Sequence, residues 1–254
     1  MNLKAQITIF AILAILIIAV IALLFTLYQD PLRRIISGQQ QDTTSILEQC
    51  VNEHVEIAVN KLLEHGGFLE EPLLFKEFEH INISYLCYTG LYYSRCTPQI
   101  PNLIDHLENE ISISIGPKID SCFQDLKNNL ESDSYIVNLG TDQDFTIELL
   151  SGKARVNIAR ELTQEKADDS RTFNSFQTNY KTPLYDIGII TTEIIFQEAI
   201  LCNSDYLQIM RANTDFNIKK IQTGDDNKIY TITYLPSKEF WKFAIRGCVL
   251  ATPG

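Results

Sequence analysis

Residues 216–235 read FNIKKIQTGDDNKIYTITYL. Two runs rich in isoleucine, threonine and aromatic residues alternate apolar with polar positions, and Gly224-Asp225-Asp226-Asn227 lies between them. A period of two broken by a glycine–aspartate cluster predicts an antiparallel hairpin, with strands over 216–222 and 228–235. Upstream, TPLYDIGIITTEIIFQEAIL (182–201) follows a different period. Thr182 suits a helix cap and Pro183 the first turn. Ile187, Ile190, Ile194, Ile195, Phe196 and Ile200 then recur at helical spacing and are expected to bury against the sheet. A helix followed by a hairpin predicts an α+β class, with helices packed on a mainly antiparallel sheet.

The same signals extend in both directions. Strands are predicted over 135–139, 145–150, 153–162, 172–180 and 240–250, with Ser151-Gly152 turning the second into the third. QEKADDSR (164–171) is polar and reads as a hairpin-like loop, and residues 205–210 as a short helix. Nearer the N-terminus, SILEQCVNEHVEIAVNKLLEHGG (45–67) starts with a capping box, carries a helical apolar stripe and stops at Gly66-Gly67. Residues 73–96 are aromatic-rich and extended. A helix is expected over 101–110. ISISIG (111–116) alternates like a strand, and Pro117 suits the first position of a helix running to Leu130. The resulting domain spans 45–254, with a helical part over 45–132 and a strand-rich part over 133–254.

Ahead of it stands MNLKAQITIFAILAILIIAVIALLFTLYQD (1–30). From Ile7 to Tyr28 there is no charge, proline or glycine, and about 22 residues at 1.5 Å each span roughly 33 Å, enough for a hydrocarbon core. A cleavable secretory signal would be shorter and end in a small-x-small site, which is not found before Asp30. The expected layout is a leader over 1–5, a transmembrane helix over 6–28 and a polar linker over 29–44. The bilayer is thus one predicted partner, through residues 7–28. Ala11, Ala14, Ala19 and Ala22 share one helical face, where small residues permit close helix approach in lipid.

Lys4-Ala5-Gln6-Ile7-Thr8 directly before the apolar run resembles the class III, prepilin-type signal of archaeal surface proteins. That resemblance implies cleavage between Ala5 and Gln6, with Lys4 as the basic residue and Thr8 as the hydroxyl two positions on. Pilins of that family carry glutamate where this chain has Phe10. The order of the whole chain, from the KAQITIF anchor to FWKFAIRG, is similar to a group of uncharacterised membrane-anchored proteins of small archaea. This second resemblance implies an α+β exterior domain and no known activity. Charges flanking the span nearly balance, Lys4 against Arg33 and Arg34 less Asp30. The prepilin-like start and the cysteines place the N-terminus in the cytoplasm and residues 29–254 outside.

The chain has six cysteines, Cys50, Cys87, Cys96, Cys122, Cys202 and Cys248, and no CxxC. An exported domain would oxidise them, and six cysteines admit many pairings. The favoured set joins Cys87 to Cys96 across a turn at Gly90, Cys50 to Cys122 between two helices, and Cys202 to Cys248. The alternative is six reduced, buried thiols. No cysteine has a histidine at finger-like spacing, so no metal is expected.

Other chemistry is hard to find along the chain. His54, His65, His80 and His106 form no ligand motif, and there is no phosphate-cradling glycine loop and no GxSxG. Asp168-Asp169 and Asp225-Asp226 fall in predicted turns, where aspartates satisfy backbone. Asn82-Ile83-Ser84 is a glycosylation sequon, Asn82 being its acceptor. Trp241, Phe240 and Phe243 read as core. A net charge of −11 repels phosphate backbones and argues against nucleic acid. The function expected is a non-enzymatic, membrane-anchored, pseudopilin-like envelope protein, with no cofactor and with protein partners or self-association. An anchored extracellular hydrolase with a site assembled from distant residues, and an accessory subunit of a membrane complex, stand as alternatives.

Overall fold

Helix α1 (Thr43–Glu64) opens the computed structural model, which describes residues 43–167 and 169–250. The chain divides into two units, residues 1–42 and 43–254, and every described residue belongs to the second. The expected leader, the span over 6–28, residues 29–42 of the linker, and Asp168 lie outside the described residues. Among the described residues no helix is long and apolar enough to cross a membrane.

α1 buries Leu47, Val51, Val55, Ala58, Val59, Leu62 and Leu63 along one stripe. It already includes Thr43, two residues ahead of the expected capping box, whose buried hydroxyl donates to Gln164 Oε1 at 2.9 Å. It ends where expected, at Gly66 (φ +65°) and Gly67 (φ +102°), with Gly67 N donating to Leu62 O. Both glycines are required there. A Cβ on Gly66 would lie 2.8 Å from Lys242 O, and one on Gly67 would lie 3.0 Å from the Trp241 ring.

After the short strand β1 (Phe75–Phe78), strand β2 (Ile81–Tyr88) and the two-residue β3 (Thr97–Pro98), the chain enters helix α2 (Leu103–Ser132). Here the structure corrects the sequence reading. Residues 111–116 are helical, and Pro117 sits inside a single 30-residue helix. A proline in a helix interior costs about 3 kcal/mol. Against it stands burial of Ile111, Ile115 and Ile119, each worth roughly 1.5–3 kcal/mol. These three continue an unbroken four-residue stripe from Leu103 and Leu107 toward Phe123, Leu126 and Leu130. Burial wins, and the strand-like alternation of ISISIG is incidental.

Strands β4 (Ile136–Leu139), β5 (Asp144–Leu150), β6 (Lys153–Lys166) and β7 (Asp169–Lys181) form one antiparallel sheet. β6 is its spine: β5 and β4 follow one another along one part of its pairing, and β7 pairs over its whole length. The polar 164–171 segment is therefore mostly strand, not loop, because Gln164 is buried against Thr43 and the hairpin closes only after Lys166. Buried Arg160 fastens this sheet to α2. It donates to Asp120 at 2.8 Å, Gln143 at 2.6 Å and Gly140 O, and stacks on Phe123.

Helix α3 (Leu184–Leu201), short helix α4 (Tyr206–Ala212) and strands β8 (Phe216–Gln222), β9 (Lys228–Tyr234) and β10 (Phe240–Arg246) complete the chain. α3 starts at Leu184 as expected, but its cap is Pro183 without a side-chain cap bond, while Thr182 Oγ1 accepts from Leu184 N just ahead of it. The class is α+β, yet the single sheet foreseen is two. The second sheet runs β1-β2-β10-β9-β8, with β3 also on β2. Its β2–β10 contact is parallel, and this joins residues 81–88 to the last strand. Trp241 and Phe243 are fully buried as expected, whereas Phe240 is exposed because it faces the opposite side of β10.

A candidate interaction surface

Three disulfides are present, Cys50–Cys122, Cys87–Cys96 and Cys202–Cys248, the set favoured from the sequence. The first joins α1 to α2. The other two converge on the C-terminal segment and organise the surface described next.

α3 is largely apolar, with Asp186, Thr192, Glu193 and Gln197 as the polar residues outside its buried face. Its inner face buries Leu184, Ile187, Ile190, Thr191, Ile194 and Ile195. Glu198, 1% exposed, ends that face. Its carboxylate accepts from Tyr230 Oη and Lys228 Nζ, with Lys220 Nζ 3.4 Å away. Burial and the neighbouring carboxylate push the Tyr230 hydroxyl far above its usual range, while burial lowers Lys220.

The outer face departs from expectation. Phe196 is 60% exposed and Ile200 also lies open to solvent, with Ile189 exposed two turns earlier. At 100° per residue, positions 189, 196 and 200 fall within about 40° of one another, and exposed Glu193, which accepts from Gln197 at 2.7 Å, lies at the edge of the same stripe. The sequence reading assigned Phe196 and Ile200 to the core because it assumed one buried side. Among the described residues nothing covers this stripe.

The second feature is the loop closed by Cys87–Cys96. Leu91, Tyr92 and Tyr93 project from it, Leu91 at 68% and Tyr93 at 69% exposure. The loop is nonetheless held firmly. Thr89 N donates to Arg246 O, Tyr93 N to Val249 O, and Cys248 N to Ser94 O at 2.7 Å. The Arg246 guanidinium donates to Thr89 O and lies over the Tyr88 and Tyr92 rings. Gly247 packs against Cys96, where a Cβ would come within 3.0 Å of both Cβ and backbone N.

Cys248 links the two features. It is bonded to Ser94 in the loop and bridged to Cys202, the left-handed C-cap of α3, with Cα atoms 5.8 Å apart. The end of the exposed α3 stripe and the exposed aromatic loop therefore share one rigid junction. Leu201 and Leu250, on either side of it, are exposed as well. Fixed aromatic and aliphatic side chains of this kind form binding hot spots, since little freedom remains to be lost on contact.

The other residues singled out in the sequence are dispersed. Asn82 lies in β2 opposite Glu77, half-buried. His106 Nε2 bonds Gly67 O at 2.8 Å, His80 occupies the β1–β2 turn, and His54 lies on α1. Asp225 takes hydrogen bonds from Lys76 and Thr223, a turn role. Burial opposes its ionisation, but those bonds and the Lys76 charge together hold its carboxyl well below the usual range. Lys4, Ala5, Gln6 and Thr8 are outside the described residues. A groove of about 490 Å³ lies between Phe68, Leu73, Leu74, Tyr85 and Ile113, with Glu70, Glu71 and Glu110 at its edge. Glu110 is engaged there by Leu69 N at 3.0 Å. Compared with protein-family models, curated proteins and solved structures, the chain matches none.

Proposed function

We propose that this chain is a membrane-anchored cell-envelope protein whose exterior domain binds another envelope protein, or a second copy of itself, through the outer face of α3 and the loop beside it. The observation that carries this reading is the uncovered stripe of Ile189, Phe196 and Ile200, joined through Cys248 to Leu91, Tyr92 and Tyr93. An acidic domain that leaves such a surface bare and rigid fits a docking role. Three bridges support residence in an oxidising compartment. The apolar run over 7–28 supports an anchor, and Lys4-Ala5-Gln6 with Thr8 supports prepilin-type processing. No nucleic acid or cofactor enters this reading.

The test is site-specific photo-crosslinking in native membranes. A photoreactive residue at Phe196 or Tyr93 is expected to yield a discrete protein adduct, lost when Ile189 and Ile200 are replaced by aspartate in a chain that still folds. Absence of any protein adduct from both positions would refute the docking role. Peptide mass spectrometry of the mature N-terminus tests the anchor class: a start at Gln6 supports prepilin-type processing, and a start at Met1 or Asn2 removes it.

A further inference from the structure

Cys50 and His54 stand four residues apart on α1, so their side chains share one face of the helix. Cys122 reaches the same point from α2. The two sulfurs and a ring nitrogen of His54 all lie within 4.8 Å of one another. Cys122 is buried, whereas Cys50 and His54 are half-buried and open to solution on one side. Among the described residues nothing makes a hydrogen bond or ion pair with the His54 ring. Among the described residues this is the one such grouping of three ligand side chains. Neither of the other two bridges has, among the described residues, a third ligand within that reach.

We propose that in the reduced chain Cys50, His54 and Cys122 form a three-ligand zinc site that stands in for the disulfide between α1 and α2. The chemistry balances with a dithiol as reductant. The S–S bond takes two electrons and two protons, and the dithiol becomes a disulfide. Zinc then displaces both thiol protons, binding two thiolates and a neutral imidazole, with water in the fourth position. Zinc–sulfur bonds of about 2.3 Å place two thiolates roughly 3.8 Å apart. With Cα atoms 5.7 Å apart, side-chain rotation alone converts the bonded pair to that spacing. The helices keep their packing in both states. The ion would tie the two helices together and shield both thiols until oxidation replaces it. Spacing along the chain gave no hint of this, because the third ligand comes from a helix some seventy residues away, a sequence separation of 72.

The test uses the full chain in detergent, reduced with a phosphine that does not compete for zinc. One equivalent of zinc is expected to slow alkylation of Cys50 and Cys122 about tenfold or more, with Cys87, Cys96, Cys202 and Cys248 unchanged, as read by peptide mass spectrometry. Cobalt(II) in place of zinc should give a thiolate charge-transfer band. His54→Ala should weaken binding about tenfold or more, on the scale of lost metal-site groups. The oxidised His54→Ala chain should melt with the parent, which separates a ligand role from a structural one. Equal protection of all six cysteines, protection of none, unchanged affinity in His54→Ala, or a reduced chain that unfolds and is not refolded by zinc would each overturn the proposal.

Discussion

Replacing Glu198 by glutamine removes one charge and almost no volume from the base of α3. Two ammonium groups remain beside it: Lys228, which also donates to Cys202 O, and Lys220, within reach of Asn203 Oδ1. Removing one partner of a buried ion pair costs about 3–5 kcal/mol, because the other charge is left uncompensated. The Lys228 and Lys220 side chains keep 10% and 15% exposure, so water reaches them slightly and the low end applies. We expect a loss of about 3 kcal/mol, or roughly 6–12 °C in Tm for a domain of this size. Adding Lys228→Met to Glu198→Gln should recover at least half of that loss, since an apolar replacement of a buried pair is often neutral. Urea denaturation of the disulfide-intact domain measures the parent, each single variant and the double variant. A Glu198→Gln domain within about 1 kcal/mol of the parent, or a double variant worse than the sum of its parts, would refute the argument that charge compensation holds this cluster together.

Further predictions follow from other positions. Gly66→Ala forces a side chain into a left-handed backbone 2.8 Å from Lys242 O and should cost about 2–3 kcal/mol, whereas Gly152→Ala, with φ +74° and open space around it, should cost only about 1 kcal/mol. Burial first, and nearby acidic charge second, push the Tyr85 and Tyr180 hydroxyls up to about 12 from a usual 10.0. A raised pKa means that the folded state holds its proton longer, so this stability is complete below pH 10 and is lost as pH rises toward 12. Phenolate absorbance and denaturation between those limits check it. Chain-entropy arguments give the Cys50–Cys122 bridge, with separation 72, about 4 kcal/mol and the Cys87–Cys96 bridge, with separation 9, about 3 kcal/mol, a ranking that paired serine substitutions will test. Phe196→Asp should leave the melting temperature within a few degrees of the parent, being a surface change, while abolishing the crosslinked adduct.

Local signals carried much of this architecture. The hairpin of β8 and β9, the Ser151-Gly152 turn between β5 and β6, the Thr182-Pro183 start of α3 and the glycine stop of α1 all rest on residues within a few positions of one another. The cysteine pairing followed from placing each cysteine on its element. What could not be read depends on distant partners. Helicity across Pro117 is decided by what Ile111, Ile115 and Ile119 pack against, not by their alternation. Gln164 belongs to a strand because it pairs with Val137 of β4 and Arg171 of β7 on either side. The division into two sheets depends on β2 choosing β10, some 160 residues later, as its parallel neighbour. The outer stripe of α3 was visible as apolar residues, but periodicity alone cannot say on how many sides a helix is covered.

The place of β10 has a consequence for how the molecule comes to be made. The final strand of the chain lies between β2 and β9, in the interior of its sheet. Until Phe240–Arg246 has been delivered, β2 and β9 have no common neighbour, Trp241 and Phe243 are missing from the core, and Cys202 has no Cys248 to meet. Pairings this distant are slow to form, and here the slowest is also the last to become available. Synthesis as far as β9 therefore leaves the sheet open until Phe240–Arg246 is free to insert. Strand order thus sets the order of assembly: the sheet closes only when β10 arrives between β2 and β9.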